Sequence, residues 1–136
     1  MIAQFAMGAA IVTVNAVLQA EMFARFGRRL EKAMLFLRRY FHRFANTAAI
    51  VVGALFVMFV HTVQVWVWAA AFHFTGALDG FEPSLYFALV SFTTVGYGDI
   101  TLGPEWRILS GIASANGLLS FGWSTAYMVE LVRRTA

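Results

Sequence analysis

The chain has 136 residues, of which 60% are hydrophobic and 12% are charged, and its formal net charge is +3. Soluble domains average about 25% charged residues, and they need this charge to cover their surface. The composition therefore argues against a soluble enzyme, a disordered chain and a nucleic-acid-binding module. The absence of cysteine from the sequence excludes disulfides and thiolate metal sites.

Three long stretches lack Asp, Glu, Lys and Arg, at residues 1–20, 44–78 and 108–129. A bilayer core requires about 20 mostly apolar residues per helix. The sequence therefore predicts an all-α membrane protein with three transmembrane helices, which we place at 2–22, 46–73 and 105–132.

The first apolar stretch could also be interpreted as a signal peptide. Signal peptides carry basic residues before the apolar stretch, whereas the first basic residue here is Arg25. We therefore interpret residues 2–22 as a retained helix whose N-terminus is external. Asn15 and Gln19 share one face of this helix, and we expect them to face protein rather than lipid. Alternatively, Asn15 and Gln19 are polar only because they lie near the end of the helix.

A basic segment follows and completes an N-terminal unit, residues 1–45. Its apolar residues recur every three or four positions, which predicts an amphipathic helix. Such a helix either lies in the headgroup layer or extends the first span inward. Its arginines either bind anionic lipid headgroups or only set the topology; those considered as lipid contacts are Arg25, Arg28, Arg29, Arg38 and Arg39.

The distribution of basic residues predicts the orientation. Nine of the ten Lys and Arg residues lie within 25–43 or at 133–134, and only Arg107 lies elsewhere. By the positive-inside rule, the basic segment and the C-terminus are cytoplasmic, and the connection 74–105 is external. His61, near the middle of the second span, is either a proton sensor or a neutral side chain that is hydrogen-bonded between helices.

A further uncharged stretch, 83–98, is too short to cross a bilayer and predicts a re-entrant segment. Pro83 suits the first turn of a helix, and no helix breaker follows before Gly96, so residues 83–93 are predicted to form a short helix. Its C-terminal end carries a partial negative charge.

After this predicted short helix, residues 93–99 read Thr-Thr-Val-Gly-Tyr-Gly-Asp. Glycine adopts positive φ without penalty, so Gly96 and Gly98 allow the backbone to alternate in handedness. Successive carbonyl groups can then point the same way. The carbonyls of residues 94–97, together with the Thr94 hydroxyl, would form a column of oxygen atoms.

This heptapeptide, placed after a short helix and between two spans, resembles the selectivity filter of potassium channels. The resemblance covers about residues 46–134 and implies a pore module, residues 46–136, that works as a homotetramer. Its parts would be an outer helix 46–73, a pore helix 83–93, a filter 94–99 and an inner helix 105–132. The resemblance assigns K⁺ binding to Thr94, Val95, Gly96, Tyr97 and Gly98, flanked by Thr93 and Asp99.

The resemblance also implies roles on the inner helix. Gly117 would be a gating hinge, with close packing on a neighbouring helix as the alternative reason for a mid-helix glycine. A water-filled cavity would be lined by Leu118, Phe121 and Thr125.

The sequence departs from the family pattern at one position. Some bacterial members carry a Glu four residues before the filter threonine, and this Glu pairs with the aspartate that matches Asp99. Val90 stands there in this chain, so that pair cannot form, and the Tyr86 hydroxyl is the candidate replacement.

The implied function is a potassium-selective channel in a bacterial inner membrane, with no cofactor, no nucleic-acid partner and no enzymatic activity. The alternatives are a weakly selective cation channel and a non-conducting accessory subunit of a larger channel. Tyr97 favours potassium, because related non-selective filters usually lose this tyrosine. No span carries arginine at every third position, as a voltage sensor does, and we expect no ligand-binding domain after Arg134.

Overall fold

A computed structural model describes residues 1–40 and 44–135 of the chain. These residues form four helices: α1 (Ile2–Tyr40), α2 (Ala45–Phe74), α3 (Phe81–Phe92) and α4 (Arg107–Thr135). The all-α class predicted from the sequence is confirmed for this part of the chain. Two of the helices, α1 and α2, are long and apolar enough to cross a membrane. At 1.5 Å per residue, α4 is also about 43 Å long, but its composition is more mixed.

Residues 25–40 of the basic segment continue α1 without a break, so this part of the segment extends the first helix rather than forming a separate one. Its apolar face is bound into the protein by aromatic contacts. Phe23 is buried and stacks on Tyr127 of α4 with ring centroids 4.3 Å apart, and Phe26 stacks on Phe56 of α2 at 3.9 Å. The amphipathic pattern of the sequence is thus used for packing between helices.

α1 and α4 point in the same direction. The side chain of Gln4 contacts the start of α4 at Ile108, and Glu31 pairs with Arg134 near the end of α4. α2 runs the opposite way, since its first turn packs against the C-terminal part of α1. The short helix α3 lies against both α2 and α4.

The start of α3 differs from the sequence prediction by two residues. Gly80, with φ of 98°, precedes the first helical residue Phe81, and Pro83 is the third residue of the helix. Proline is tolerated there because the amide groups of the first turn have no intrahelical acceptor. The Ser84 hydroxyl donates to the Gly80 carbonyl at 2.8 Å and fastens this turn.

The apolar core lies between α2, α3 and α4, and it holds the C-terminal end of α3 in place. Trp68 and Phe72 of α2 and Phe92 of α3 are fully buried in it. Phe72 meets Phe87 edge to face at 5.1 Å, a favoured aromatic geometry. The residues of this core are Val65, Trp68, Ala69, Phe72, Phe87, Ala88, Phe92, Leu109 and Ala113.

Candidate functional site

The segment that follows α3 has an alternating backbone. Thr94, Gly96 and Gly98 have φ angles of 60°, 59° and 76°, and the residues between them have negative φ. The two glycines adopt the positive φ that the sequence predicted. Thr94 was not predicted to do so, because a threonine rarely takes this conformation and no local pattern marks it.

The amide groups of this segment bind back to α3. The N–H groups of Val95 and Gly96 both donate to the carbonyl of Val90, at 3.1 and 3.3 Å. Among the described backbone hydrogen bonds outside the helices, none uses a carbonyl of residues 94–97 as its acceptor. The amide donors of residues 93–96 are therefore occupied, whereas the carbonyl oxygens of residues 94–97 accept none of these bonds.

The C-terminal end of α3 adds negative potential beside this segment. The last helical residue is Phe92, and Thr93 caps the helix with its N–H bonded to the Leu89 carbonyl at 3.0 Å. The Thr93 hydroxyl also donates to Leu89 at 2.7 Å. A helix C-terminus carries a partial negative charge, so this arrangement favours a cation over an anion.

A hydrogen bond joins the far end of the segment to α3. The Tyr86 hydroxyl donates to Asp99 Oδ2 at 2.6 Å, so the structure confirms that this hydroxyl reaches Asp99. This bond lowers the pKa of the Asp99 carboxyl below its ordinary value. Val90, at the position of the missing Glu, is buried and apolar.

Gly117 lies directly against the end of α3. A Cβ at this position would fall on the carbonyl oxygen of Phe92, so only a glycine lets α4 approach this closely. Close packing, the alternative raised by the sequence, therefore accounts for the glycine. Its role as a hinge stays a prediction.

The three residues predicted to line a cavity have different surroundings in the single chain. Leu118 and Thr125 are exposed, whereas Phe121 is half-buried. The Phe121 ring packs on His61, with centroids 4.6 Å apart, and on Phe92 at 5.6 Å. Their exposure to a common cavity stays a prediction.

His61 is a buried, hydrogen-bonded side chain. Its Nδ1 lies 3.2 Å from Gln64 Oε1 in the next turn of α2. This bond lies within α2, so the expectation that His61 is hydrogen-bonded is confirmed, whereas the expectation that the bond joins two helices is wrong. The sequence did not indicate Gln64 as its partner, and proton sensing stays a prediction.

Asn15 and Gln19 of α1 face protein, as predicted. Asn15 Nδ2 donates to Asn116 Oδ1 at 2.8 Å, and Gln19 Nε2 donates to Ser124 Oγ at 3.1 Å. The sequence did not indicate Asn116, Ser124 and Gln64 as partners. The available signal was an uncharged polar side chain within an apolar span.

The arginines considered as lipid contacts are described only in part. Arg25, Arg28 and Arg29 are exposed, and Arg25 pairs with Glu21 at 3.1 Å. The side chains of Arg38 and Arg39 lie outside the described part of the structure.

A comparison with protein families finds one whose model, described as "Ion channel", matches residues 47–134. The match begins in α2 and ends in the last turn of α4, so it includes α3 and the segment 93–99. It leaves α1 outside. No curated protein and no solved structure matches the chain.

Proposed function

The chain belongs to the ion channel family, as a two-span pore module, and from this we propose that it is a potassium-selective channel subunit. Four copies would surround one axis and conduct K⁺ passively. Dehydrated ions would bind to rings of carbonyl oxygens and displace one another in single file.

The carbonyl oxygens of residues 94–97 carry this proposal. The amides of residues 94–96 are bonded to carbonyls of α3. The φ angles alternate in sign along the segment, and such an alternation would aim successive carbonyls to one side. One such column cannot surround an ion, whereas four columns supply eight oxygens per site. Such a cage replaces the hydration shell of a large, weakly hydrated cation. The residues that would provide it are Thr94, Val95, Gly96, Tyr97 and Gly98, with Thr93 and Asp99 at its ends.

The exposure of the same segment supports assembly into a tetramer. In the single chain, 71% of Tyr97 and 52% of Val95 are exposed. Irregular backbone at membrane depth must be buried in protein or line a watery path. Further copies of the chain around the segment would bury its exposed side chains and enclose a watery path along its carbonyl oxygens.

We propose further that α1, α2 and α4 all span the membrane, with the N-terminus external and the C-terminus cytoplasmic. The parallel arrangement of α1 and α4 agrees with the predicted orientation, since both would enter from the outside. The exposed Arg28 and Arg29 would then lie near the cytoplasmic headgroups and could bind anionic lipid. A bacterial inner membrane is the proposed location.

Ion flux through the purified protein in liposomes tests the function. We expect K⁺ flux to exceed Na⁺ flux by at least about tenfold, equivalent to about 1.4 kcal/mol of discrimination. Liposomes without protein are the control. Equal fluxes of the two ions would indicate a weakly selective cation channel, and the absence of flux would indicate an accessory subunit.

Tyr86→Phe should shift the response to external acid. Loss of the hydroxyl lets the pKa of Asp99 rise toward its ordinary value of 3.8, because the largest lowering effect on it is removed. The variant's carboxylate therefore takes up a proton at a higher pH than the wild type's. Ionised Asp99 would concentrate K⁺ at the outer mouth, so single-channel conductance should fall at a higher external pH in the variant.

Tyr127→Phe is the matched control for this titration. Tyr127 lies near the other end of α4 and stacks on Phe23, far along the chain from Asp99. The conductance of Tyr127→Phe should depend on external pH in the same way as the wild type's. If the conductance of Tyr86→Phe also follows the wild type's, Asp99 does not depend on the Tyr86 hydroxyl.

A further inference from the structure

The helix α1 lies outside the family match, yet it is bonded to the inner helix α4 at both ends. Near the start of α4, the Gln4 side-chain oxygen accepts a hydrogen bond from the Ile108 amide at 3.1 Å. This bond satisfies one of the free amide groups of a helix N-terminus. Near the end of α4, Arg134 pairs with Glu31 at 2.9 Å.

The middle of α1 is bonded to α4 through two buried amide side chains. Asn15 donates to Asn116 Oδ1 at 2.8 Å. Gln19 donates to the Ser124 hydroxyl and to the Ser120 carbonyl, both at 3.1 Å. Asn15 is 0% exposed and Gln19 is 1% exposed, so water does not compete for these bonds.

α2 completes the same set of bonds. Gln64 donates to Gln19 Oε1 at 3.0 Å and to the Asn15 carbonyl at 3.2 Å. The Trp68 ring N–H donates to Asn116 Oδ1 at 2.9 Å. We call Asn15, Gln19, Gln64 and Asn116 the amide ladder, because these side chains link all three long helices.

The amide ladder is placed where the inner helix meets the pore helix. Asn116 directly precedes Gly117, which lies against the carbonyl of Phe92. Ser120 and Ser124 follow Gly117 by about one and two turns. Any movement of this part of α4 relative to α1 must therefore break or remake the bonds of Gln19. Polar groups within a membrane are costly when unpaired, and they commonly mark functional positions.

We propose that α1 is a built-in restraint on the inner helix, and that Gln19 is the positioning residue through which α1 sets the closed–open equilibrium. The restraint holds the part of α4 that follows Gly117 against α1 and α2. This inference rests on the proposed channel function, because opening is its main readout.

The test compares Gln19→Met, Ser124→Ala and the double variant in planar-bilayer recordings. Methionine has nearly the shape of glutamine, but it cannot donate to Ser120 and Ser124 and is only a weak acceptor for Gln64. An interhelical hydrogen bond in a membrane is worth about threefold in an equilibrium constant and four copies act together, so we expect open probability to shift by at least about fivefold. The reversal potential should stay unchanged. A rise in open probability would identify the described arrangement of helices as the closed state, and a fall in open probability would identify it as the open state.

The double variant distinguishes a specific bond from general damage. If Gln19 acts through Ser124, the double variant should shift no further than the larger single variant. Shifts that multiply would overturn the proposal, as would an open probability within fivefold of the wild type in Gln19→Met. Thr13→Val is the control, because Thr13 is exposed and its hydroxyl bonds to Ala9 within α1. It should leave open probability unchanged.

Hydrogen exchange of residues 118–126 gives a readout that does not depend on conduction. Gln19→Met should exchange faster there than the wild type, and Thr13→Val should not. If the wild type carries no current, the proposed function fails, and this measurement still decides whether Gln19 restrains α4. If Gln19→Met does not assemble, the exchange of Ser124→Ala is compared with the wild type instead, because this smaller substitution also removes the bond between Gln19 and Ser124. Unchanged exchange in the variants would overturn the restraint.

Discussion

Gly98→Ala should abolish potassium conduction while the subunit still folds. Gly98 has φ of 76°, and an L-residue in the left-handed region costs about 1–2 kcal/mol. The proposed homotetramer would incur this cost four times, about 4–8 kcal/mol in total. No atom lies within 4 Å of the added Cβ in the described chain, so the effect should come from the backbone angle itself. Relaxation of that angle would turn the neighbouring carbonyls away from the column.

Gly111→Ala is the matched control for this substitution. Gly111 also has open space around its Cβ position, but it lies within α4. Alanine in a helix is favoured over glycine by about 1 kcal/mol, so this variant should fold and conduct like the wild type. Single-channel recording and size-exclusion chromatography together separate lost conduction from lost assembly. Wild-type conductance in Gly98→Ala would refute the filter assignment.

Gly117→Ala should destabilise the assembled protein as well as stop conduction. The new methyl group would occupy the position of the Phe92 carbonyl oxygen, and a backbone atom at the end of a helix cannot move aside alone. α4 must then withdraw from α3. Overpacking of this kind costs about 1–3 kcal/mol per site, which a thermal unfolding measurement in detergent would detect.

Gly122→Ala is the control that tells whether Gly117 is needed for close packing or for flexibility of α4. Gly122 lies five residues further along α4, and nothing lies within 4 Å of its Cβ position in the described chain. This variant should keep the wild-type melting temperature. If Gly117→Ala also keeps it and changes only the opening equilibrium, Gly117 acts as a hinge rather than as a packing site.

The sequence alone indicated the class of protein and the position of the candidate site. Uncharged runs and the distribution of basic residues follow from the cost of placing charge in lipid, and this cost does not depend on the details of packing. The pattern of glycines at 96 and 98 likewise predicts local backbone angles, because glycine alone adopts them freely. The positive φ of Thr94 escaped this reasoning, since its conformation depends on the amides of the next two residues bonding back to Val90.

The tertiary structure decided which side chains meet. The spacing of Asn15 and Gln19 predicted that they face protein, but their partners Asn116 and Ser124 lie 101 and 105 residues away. Such pairs depend on how each helix is rotated about its axis and how far it is shifted along that axis. The periodicity of apolar residues shows only which broad face of a helix is buried, so it does not fix either quantity. The same holds for Gly117, where the sequence allowed either a hinge or close packing. Only the approach of the Phe92 carbonyl shows that packing requires a glycine there.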